Sequence, residues 1–244
     1  QSLGLWDDRK YVEVTVPMDM RAGGEIRVRG GTLGFKTGGG ELSGGRIELD
    51  EGTWCTINGY GTTWAITGDV SAEGAGYLAL DGGYFSSVFD ISGTLRLNFL
   101  GQFSYAWLGS LLRGQGEVIN EGKVFTGSGF RLETTLRNTG SMEIGTGFGH
   151  AGTIINDGSV SSESYGPIRF EGGRITNNGV WRLAGPGGYS YTPDPFGEFI
   201  NNGEFVAEYL DVGQPTYLIN VRFQNNGTVR ADSPILSFGD CANI

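Results

Sequence analysis

Short alternations of apolar and polar residues recur along most of this chain. Tyr11-Val-Glu-Val-Thr-Val16 alternates until Pro17 interrupts it, and comparable segments bounded by glycines follow at residues 25–29, 46–49, 64–66, 77–80 and 94–97. Alternation of this kind places every second side chain on the same face of a β-strand. Because no long segment keeps a helical period, the pattern predicts an all-β protein with almost no helix.

The second half of the chain repeats the turn sequence Asn-x-Gly six times between apolar residues. The six asparagines are Asn120, Asn138, Asn156, Asn177, Asn201 and Asn225. The glycines that follow them are separated by 18, 18, 21, 24 and 24 residues. A unit of this length with one tight turn is typical of a solenoid coil. The repeat therefore predicts a right-handed parallel β-helix, a β-solenoid, of roughly ten coils.

The first half of the chain carries glycines that we interpret as earlier counterparts of the same turn. They are Gly45, Gly68 and Gly93, with Ser43, Ile66 and Ile91 two positions before them. The strand pattern before residue 25 differs from the rest, and a solenoid must cover its first coil. We therefore predict two parts, an N-terminal cap strand at residues 1–25 and the parallel β-helix at residues 26–244.

The repeated asparagines are predicted to have a structural role. Alternation places them with the apolar residues at an inner corner of the coil. Stacked in register, each side-chain amide can donate to one neighbour and accept from the other, so that a buried amide stays hydrogen-bonded. The residue between Asn and Gly is expected to adopt the left-handed conformation, and the abundant glycines are expected to supply positive φ at turns.

Composition and charge narrow the function classes. Glycine accounts for 45 of 244 residues, the net charge is −10 and the isoelectric point is about 4.6. An acidic surface disfavours nucleic acids and anionic membranes. No apolar run approaches the ~20 residues that a membrane span needs, so we expect no membrane insertion. The opening Gln1-Ser-Leu-Gly fits a mature end after signal cleavage, which favours a secreted protein.

Few residues in the sequence are candidates for a catalytic or metal-binding role. His150, the only histidine, is predicted to be an exposed loop residue without an orienting carboxylate. The best group of acids is Asp69, Glu73, Asp81 and Asp90, which are irregularly spaced and lack a basic partner. No His or Cys spacing is typical of a metal site. We therefore expect no catalytic residues, no metal, no cofactor and no enzymatic activity.

Two groups of aromatic residues are candidates for ligand contact. Phe103, Tyr105 and Trp107 share one strand face, and for Phe103 and Trp107 we favour a core position over a binding surface. The second group lies in a loop rich in Pro and Gly, where binding residues often occur. Its members, Tyr189, Tyr191 and Phe196, are the predicted ligand-binding residues.

The two cysteines are candidates for disulfide formation, and one asparagine is a candidate for glycosylation. Cys55 falls near the second coil and Cys241 in the last, too far apart for a disulfide within one rod. Each is either a buried thiol or a partner in a disulfide with another segment or subunit. Asn226-Gly-Thr228 is the single glycosylation sequon, so Asn226 is a candidate for modification.

Several coils resemble those of a known family of adhesins. The segments are Phe199-Ile-Asn-Asn-Gly-Glu-Phe205, Ile175-Thr-Asn-Asn-Gly179 and Phe223-Gln-Asn-Asn-Gly227, with Gly83-Tyr-Phe-Ser86 and Leu108-Gly-Ser110 upstream. They are similar to the coils of fungal hyphally regulated cell-wall proteins of the Hyr/Iff type, over residues 64–230. Bacterial β-helical adhesins use the same Asn-Asn-Gly turns. The resemblance implies a secreted, wall-anchored, ligand-binding module.

Taken with that resemblance, the residues favour a non-enzymatic adhesive module at a cell surface or cell wall. Its expected partner is a surface glycan or a protein ligand. One alternative is a structural subunit that binds copies of itself end to end in an extracellular filament. Another is a polysaccharide lyase or hydrolase, since many parallel β-helices have that activity.

Overall fold

The computed structural model describes most of the chain. The described residues are 10–36, 38–58, 61–81, 87–102, 104–127, 129–162, 168–184, 189–191, 197–208, 217–219, 221–232, 236–238 and 242–243. For residues 189–191, 217–219, 236–238 and 242–243 the backbone alone is described. Within these ranges the chain is all-β, without a helix.

Each coil of the chain contributes strands to three faces, and the first face is a sheet of eleven strands. Its members are β1 (Tyr11–Val14), β4 (Thr32–Phe35), β7 (Trp54–Asn58), β10 (Tyr77–Asp81), β13 (Tyr105–Gly109), β15 (Lys123–Thr126), β17 (Ser141–Ile144), β20 (Ser159–Ser162), β23 (Val180–Leu183), β26 (Glu204–Ala207) and β29 (Thr228–Ala231).

The second and third faces are joined in one sheet of 20 strands, because β14 (Leu111–Asn120) and β16 (Arg131–Asn138) run through the corner between them. The other second-face strands are β2 (Met18–Met20), β5 (Gly40–Leu42), β8 (Thr63–Ile66), β11 (Val88–Ile91), β18 (Gly149–His150), β21 (Ile168–Phe170), β24 (Tyr189–Tyr191), β27 (Tyr217–Ile219) and β30 (Leu236–Phe238). The other third-face strands are β3 (Glu25–Val28), β6 (Gly45–Leu49), β9 (Asp69–Gly74), β12 (Thr94–Phe99), β19 (Thr153–Asn156), β22 (Arg174–Asn177), β25 (Glu198–Asn201), β28 (Arg222–Asn225) and β31 (Ala242–Asn243).

Neighbouring strands on every face are parallel, which confirms the predicted parallel β-solenoid. On the first face Lys123 pairs with Ser141, and Ser141 pairs with Ser159. Corresponding residues of successive coils therefore form columns along the axis. The predicted count of about ten coils is approximate, since the first face has eleven strands. Among the described residues no helix could cross a membrane.

The N-terminal strands belong to the solenoid itself. Strand β1 pairs in parallel with β4, and β2 pairs in parallel with β5. Residues 11–20, which lie within the predicted N-terminal cap strand of residues 1–25, therefore pair as the first coil. Tyr11 and Val12 are 45% and 57% exposed, because β1 lies at the edge of its sheet.

Inward-facing columns of the three faces meet in one continuous apolar core. A typical column on the first face runs through Cys55, Leu78, Ala106 and Val124, all nearly inaccessible to solvent. Burial of such side chains is the main favourable term in folding. The alternation seen in the sequence thus marks which residues enter the core.

The asparagine column lies inside this core at the corner between the third and first faces. Asn120, Asn138, Asn156, Asn177 and Asn201 are fully buried, and Asn225 is partly exposed. Each of the first five donates one amide proton to the side-chain oxygen of the next, at 2.6–2.8 Å. Each donates the other to a main-chain carbonyl of the next coil, at 2.9–3.1 Å. This is the ladder that we expected.

A second, exposed ladder runs beside the first and was not foreseen. It consists of the residues between Asn and Gly in the last four turns. Asn178 donates to Asp157 at 2.7 Å, Asn202 to Asn178 at 2.9 Å, and Asn226 to Asn202 at 2.9 Å. These residues do not adopt the predicted left-handed conformation, since every described residue with positive φ is a glycine.

The glycines of the Asn-x-Gly turns are required for a different reason from the one predicted. None of the six has positive φ. A Cβ at Gly179 would instead lie 2.0 Å from the carbonyl oxygen of Gly158 in the preceding coil. The coils therefore stack too closely at this corner for any side chain.

The glycines Gly45, Gly68 and Gly93 lie at a different corner, between the second and third faces. A Cβ at Gly93 would meet the oxygen of Gly68, and one at Gly116 would meet that of Gly93. The prediction that these glycines are early counterparts of the Asn-x-Gly turn was therefore wrong. In the early coils the position of Asn120 is taken by Leu97, Ala72 and Ile47.

Candidate functional site: an aromatic groove on the first face

The outer surface of the first face carries a row of large aromatic side chains. Trp54, Tyr77 and Tyr105 occupy the first position of successive strands β7, β10 and β13, in register. The rings of Trp54 and Tyr77 stack with centroids 4.4 Å apart, and Tyr77 meets Tyr105 edge-on at 5.1 Å. These three side chains are partly exposed. They lie outside the core, because the residues that alternate with them, such as Leu78 and Ala106, face inward.

A second pair of rings lies beside this row. Trp107 pairs with Phe125 in the next strand, and their rings stack at 4.7 Å with an angle of 22°. Trp107 is partly exposed, so the core position favoured from the sequence was wrong. Phe103 lies outside the described residues. A Cβ at Gly127 would be 2.6 Å from the indole Cζ2, so this glycine provides the space in which the Trp107 ring lies.

A groove begins at these rings and continues along the axis over the following coils. Its volume is about 680 Å³, within the usual range for ligand pockets. Tyr105, Trp107 and Phe125 stand at one end, and Val180 and Arg182 at the other. The floor between them carries the small side chains Ser141, Ser159 and Ser161. The groove therefore arises where large outward residues give way to small ones.

Charged side chains also border the groove. Lys123 donates to the carbonyl oxygens of Gly101 at 3.1 Å and Gln102 at 3.4 Å. Arg182 lies 3.2 Å from the carboxylate of Glu208. Glu143 lies in the same column as Phe125 and Ser161. The groove thus contains cations that already have partners, together with one carboxylate.

Tyr105 has a perturbed phenol at the rim of the groove. Partial burial raises its pKa above the usual range, and the charges of Tyr77 and Glu143 raise it further. The raised pKa favours the neutral phenol over the phenolate. A neutral hydroxyl can both donate and accept a hydrogen bond, which suits contact with a polar ligand.

The aromatic residues predicted to bind ligand lie elsewhere. Tyr189 and Tyr191 belong to β24 on the second face, and their main chains pair with those of Ile168 and Phe170. These two partners are buried core residues. Phe196 lies outside the described residues. Of the residues that line the groove, Tyr105 and Trp107 were considered from the sequence as aromatic candidates, whereas Phe125 and the serines of the floor were missed.

His150 differs most from its predicted position. It lies in β18, its main chain pairs with those of Leu132 and Phe170, and it is fully buried. Its Nε2 lies 3.2 Å from the carbonyl oxygen of Arg174 and donates to it, whereas no described residue binds Nδ1. Burial lowers the pKa of His150 to about 4. The exposed loop position predicted from the flanking glycines was wrong, because the histidine continues a core column.

The four acids that formed the best carboxylate group from sequence are dispersed. Asp69 and Glu73 lie on β9, Asp81 on β10 and Asp90 on β11, so they occupy three different faces. Glu73 pairs with Arg46 at 2.6 Å, and Asp90 pairs with Arg113 through two hydrogen bonds. Arg113 holds the pKa of Asp90 below its usual range. Within the described part of the chain, no three His, Cys, Asp or Glu residues are placed to hold a metal ion.

The remaining predicted sites concern covalent chemistry. Cys55 is a free thiol inside the core, and burial raises its pKa to about 12. That placement corresponds to the buried-thiol alternative. Cys241 lies outside the described residues. Asn226 is exposed at the last rung of the outer ladder, where its amide donates to Asn202.

Comparison with protein-family models, with curated proteins and with solved structures finds no match to this chain.

Proposed function

We propose that this chain is a non-enzymatic glycan-binding module that acts outside the cell, at a cell surface or cell wall. The observation that carries the proposal is the aromatic groove on the first face. Large aromatic rings exposed beside a groove offer apolar surfaces for the C–H faces of sugar rings. The serine hydroxyls of the floor offer hydrogen bonds for sugar hydroxyls.

Two further observations support a binding role without catalysis. Glycoside hydrolysis typically needs two carboxylates within about 10 Å of each other, flanking the bond to be cleaved. The candidate acids of this chain are spread over three faces, and two of them pair with arginines. The extracellular part of the proposal is supported by the acidic, glycine-rich composition and by the resemblance of the Asn-Asn-Gly coils to those of fungal cell-wall adhesins.

Glycan-array binding of the purified protein tests this proposal. We expect Trp107→Ala to weaken binding at least about tenfold, equivalent to ~1.4 kcal/mol, because it removes the indole at the end of the groove. Trp54→Ala is the matched control, since Trp54 is also a partly exposed tryptophan on this face but does not line the groove. An array without any bound glycan, or equal losses in the two variants, would refute the proposed site.

A further inference from the structure

The direction of the groove restricts the shape of its ligand. Its lining residues come from β13, β15, β17, β20 and β23, which are neighbours in the first sheet. Since strands lie about 4.8 Å apart, the groove crosses four spacings and extends roughly 19 Å along the solenoid axis. A groove of this length matches an extended chain better than a single sugar ring.

The floor of the groove repeats polar groups at the strand spacing. Ser141 pairs with Ser159 in the next strand, and Ser161 follows in the neighbouring outward column. Among the described residues, no hydrogen bond engages the side-chain hydroxyls of these three serines. A hydroxyl can donate one hydrogen bond and accept two. The floor therefore presents unused donors and acceptors in steps along the axis.

The charges around the groove favour a neutral ligand. The guanidinium of Arg182 is paired with Glu208, and the ammonium of Lys123 is held by two carbonyl oxygens. Glu143 contributes a negative charge to the floor, on a chain whose net charge is −10. The ammonium of Lys123 keeps its positive charge, which offsets the negative charge of Glu143. With Arg182 already paired, the groove has no excess of positive charge to attract an anionic sugar.

From these observations we infer that the groove binds a neutral, linear, β-1,4-linked glycan that lies along the solenoid axis. Such a polymer is extended and repeats at close to the strand spacing, so its hydroxyls can follow the serines while one end packs against Trp107 and Phe125. A groove of this length holds about four sugar residues. This inference rests on the proposed function and adds the class, direction and length of the ligand.

Calorimetric titration with cello-oligosaccharides and N-acetylated chito-oligosaccharides, from the monosaccharide to the hexasaccharide, tests the inference. We expect affinity to rise at least about tenfold up to the tetrasaccharide and then to level off. Oligogalacturonides of the same lengths provide the anionic comparison and are expected to bind at least about tenfold more weakly.

A substitution in the middle of the floor gives a second test. Ser159→Phe should block the central part of the groove, so that the tetrasaccharide loses its advantage over the disaccharide. Ser71→Phe, on the outer side of the third-face strand β9, is the matched control and should leave the length dependence unchanged.

The outcomes separate this inference from the proposal on which it rests. Equal affinity for all lengths, or tighter binding of oligogalacturonides, would overturn the axial neutral chain, while Trp107-dependent binding would still support a glycan site. A failure of every glycan to bind would overturn both.

Discussion

Asn177 illustrates how a polar side chain is accommodated in the core of the solenoid. Its amide donates to Asn201 and to the carbonyl oxygen of Glu204, and its own oxygen accepts from Asn156. An unsatisfied buried amide would cost about 1–3 kcal/mol. The ladder avoids this cost by giving each amide partners in the adjoining coils, which in turn requires every coil to keep the same register.

Replacement of one rung should therefore destabilise the protein. We expect Asn201→Leu to lower the free energy of unfolding by roughly 1–3 kcal/mol, because Asn177, Asn225 and the carbonyl of Thr228 each lose a partner. Urea denaturation measures the loss. The neighbouring exposed Asn202→Leu is the control and should change stability by no more than about 0.5 kcal/mol. An unchanged midpoint for Asn201→Leu would rule out a stabilising ladder.

His150 should make stability depend on pH in a defined window. In the folded chain its pKa is about 4, and in the unfolded chain it is about 6.5. Between these values the unfolded state binds the proton and the folded state does not, so stability falls as the pH falls. The full loss at about pH 4 amounts to ~3 kcal/mol, and stability is restored above about pH 6.5.

The measurement compares urea midpoints from pH 7 to pH 4 for the wild type and for His150→Leu. Leucine occupies the preceding position of this core column at Leu132, so the substitution suits the site. We expect the variant to lose the histidine contribution, leaving only the pH dependence of the carboxylates. If the two proteins lose stability in parallel, His150 is not responsible.

At the scale of strands and turns, the corner glycines show what alternation in a sequence can and cannot predict. Alternation gave the strands, the inward columns and the position of the Asn ladder, because a strand has only two sides. Alternation did not predict why glycine is required at the Asn-x-Gly turns, since close stacking of coils and positive φ both select glycine. The spacing of glycines also led to a wrong alignment of Gly45, Gly68 and Gly93 with the glycines of the Asn-x-Gly turns, because a coil has more than one corner that requires this residue.

The close-stacking explanation predicts a large difference between two glycines. In Gly179→Ala the new Cβ would meet the carbonyl oxygen of Gly158 at 2.0 Å, so we expect a loss of about 1–3 kcal/mol from displaced backbone. Gly30→Ala is the control, because nothing lies within 4 Å of a Cβ there and its φ is not positive. Thermal unfolding of the two variants should differ clearly, and equal midpoints would contradict the stacking argument.

At the scale of the whole molecule, the site depends on comparisons between coils that a single segment does not reveal. Trp107 is adjacent to apolar residues on both sides in the sequence, which made a core position plausible. Only the register with Phe125 and the inward position of Ala106 and Leu108 place it outside. The groove likewise results from the change from rings to serines across successive strands. His150 was misplaced for the same reason, since its core column is formed by other coils.

The repetition of register predicts that one complete coil can be removed. Deletion of residues 141–158 would join Gly140 to Ser159, and Ser159 already pairs with Ser141, the residue that it would replace. The same deletion removes β17, β18 and β19, one strand from each face. Since solenoid stability is approximately a sum over coils and their interfaces, the shortened protein should fold cooperatively with a lower urea midpoint.

The shorter deletion of residues 141–152 is the control, because it joins Gly140 to Thr153 and places a third-face strand after a turn that leads to the first face. Circular dichroism should show β-structure for the full-coil deletion and its loss for the shorter one, and the reverse result would contradict the three-face register.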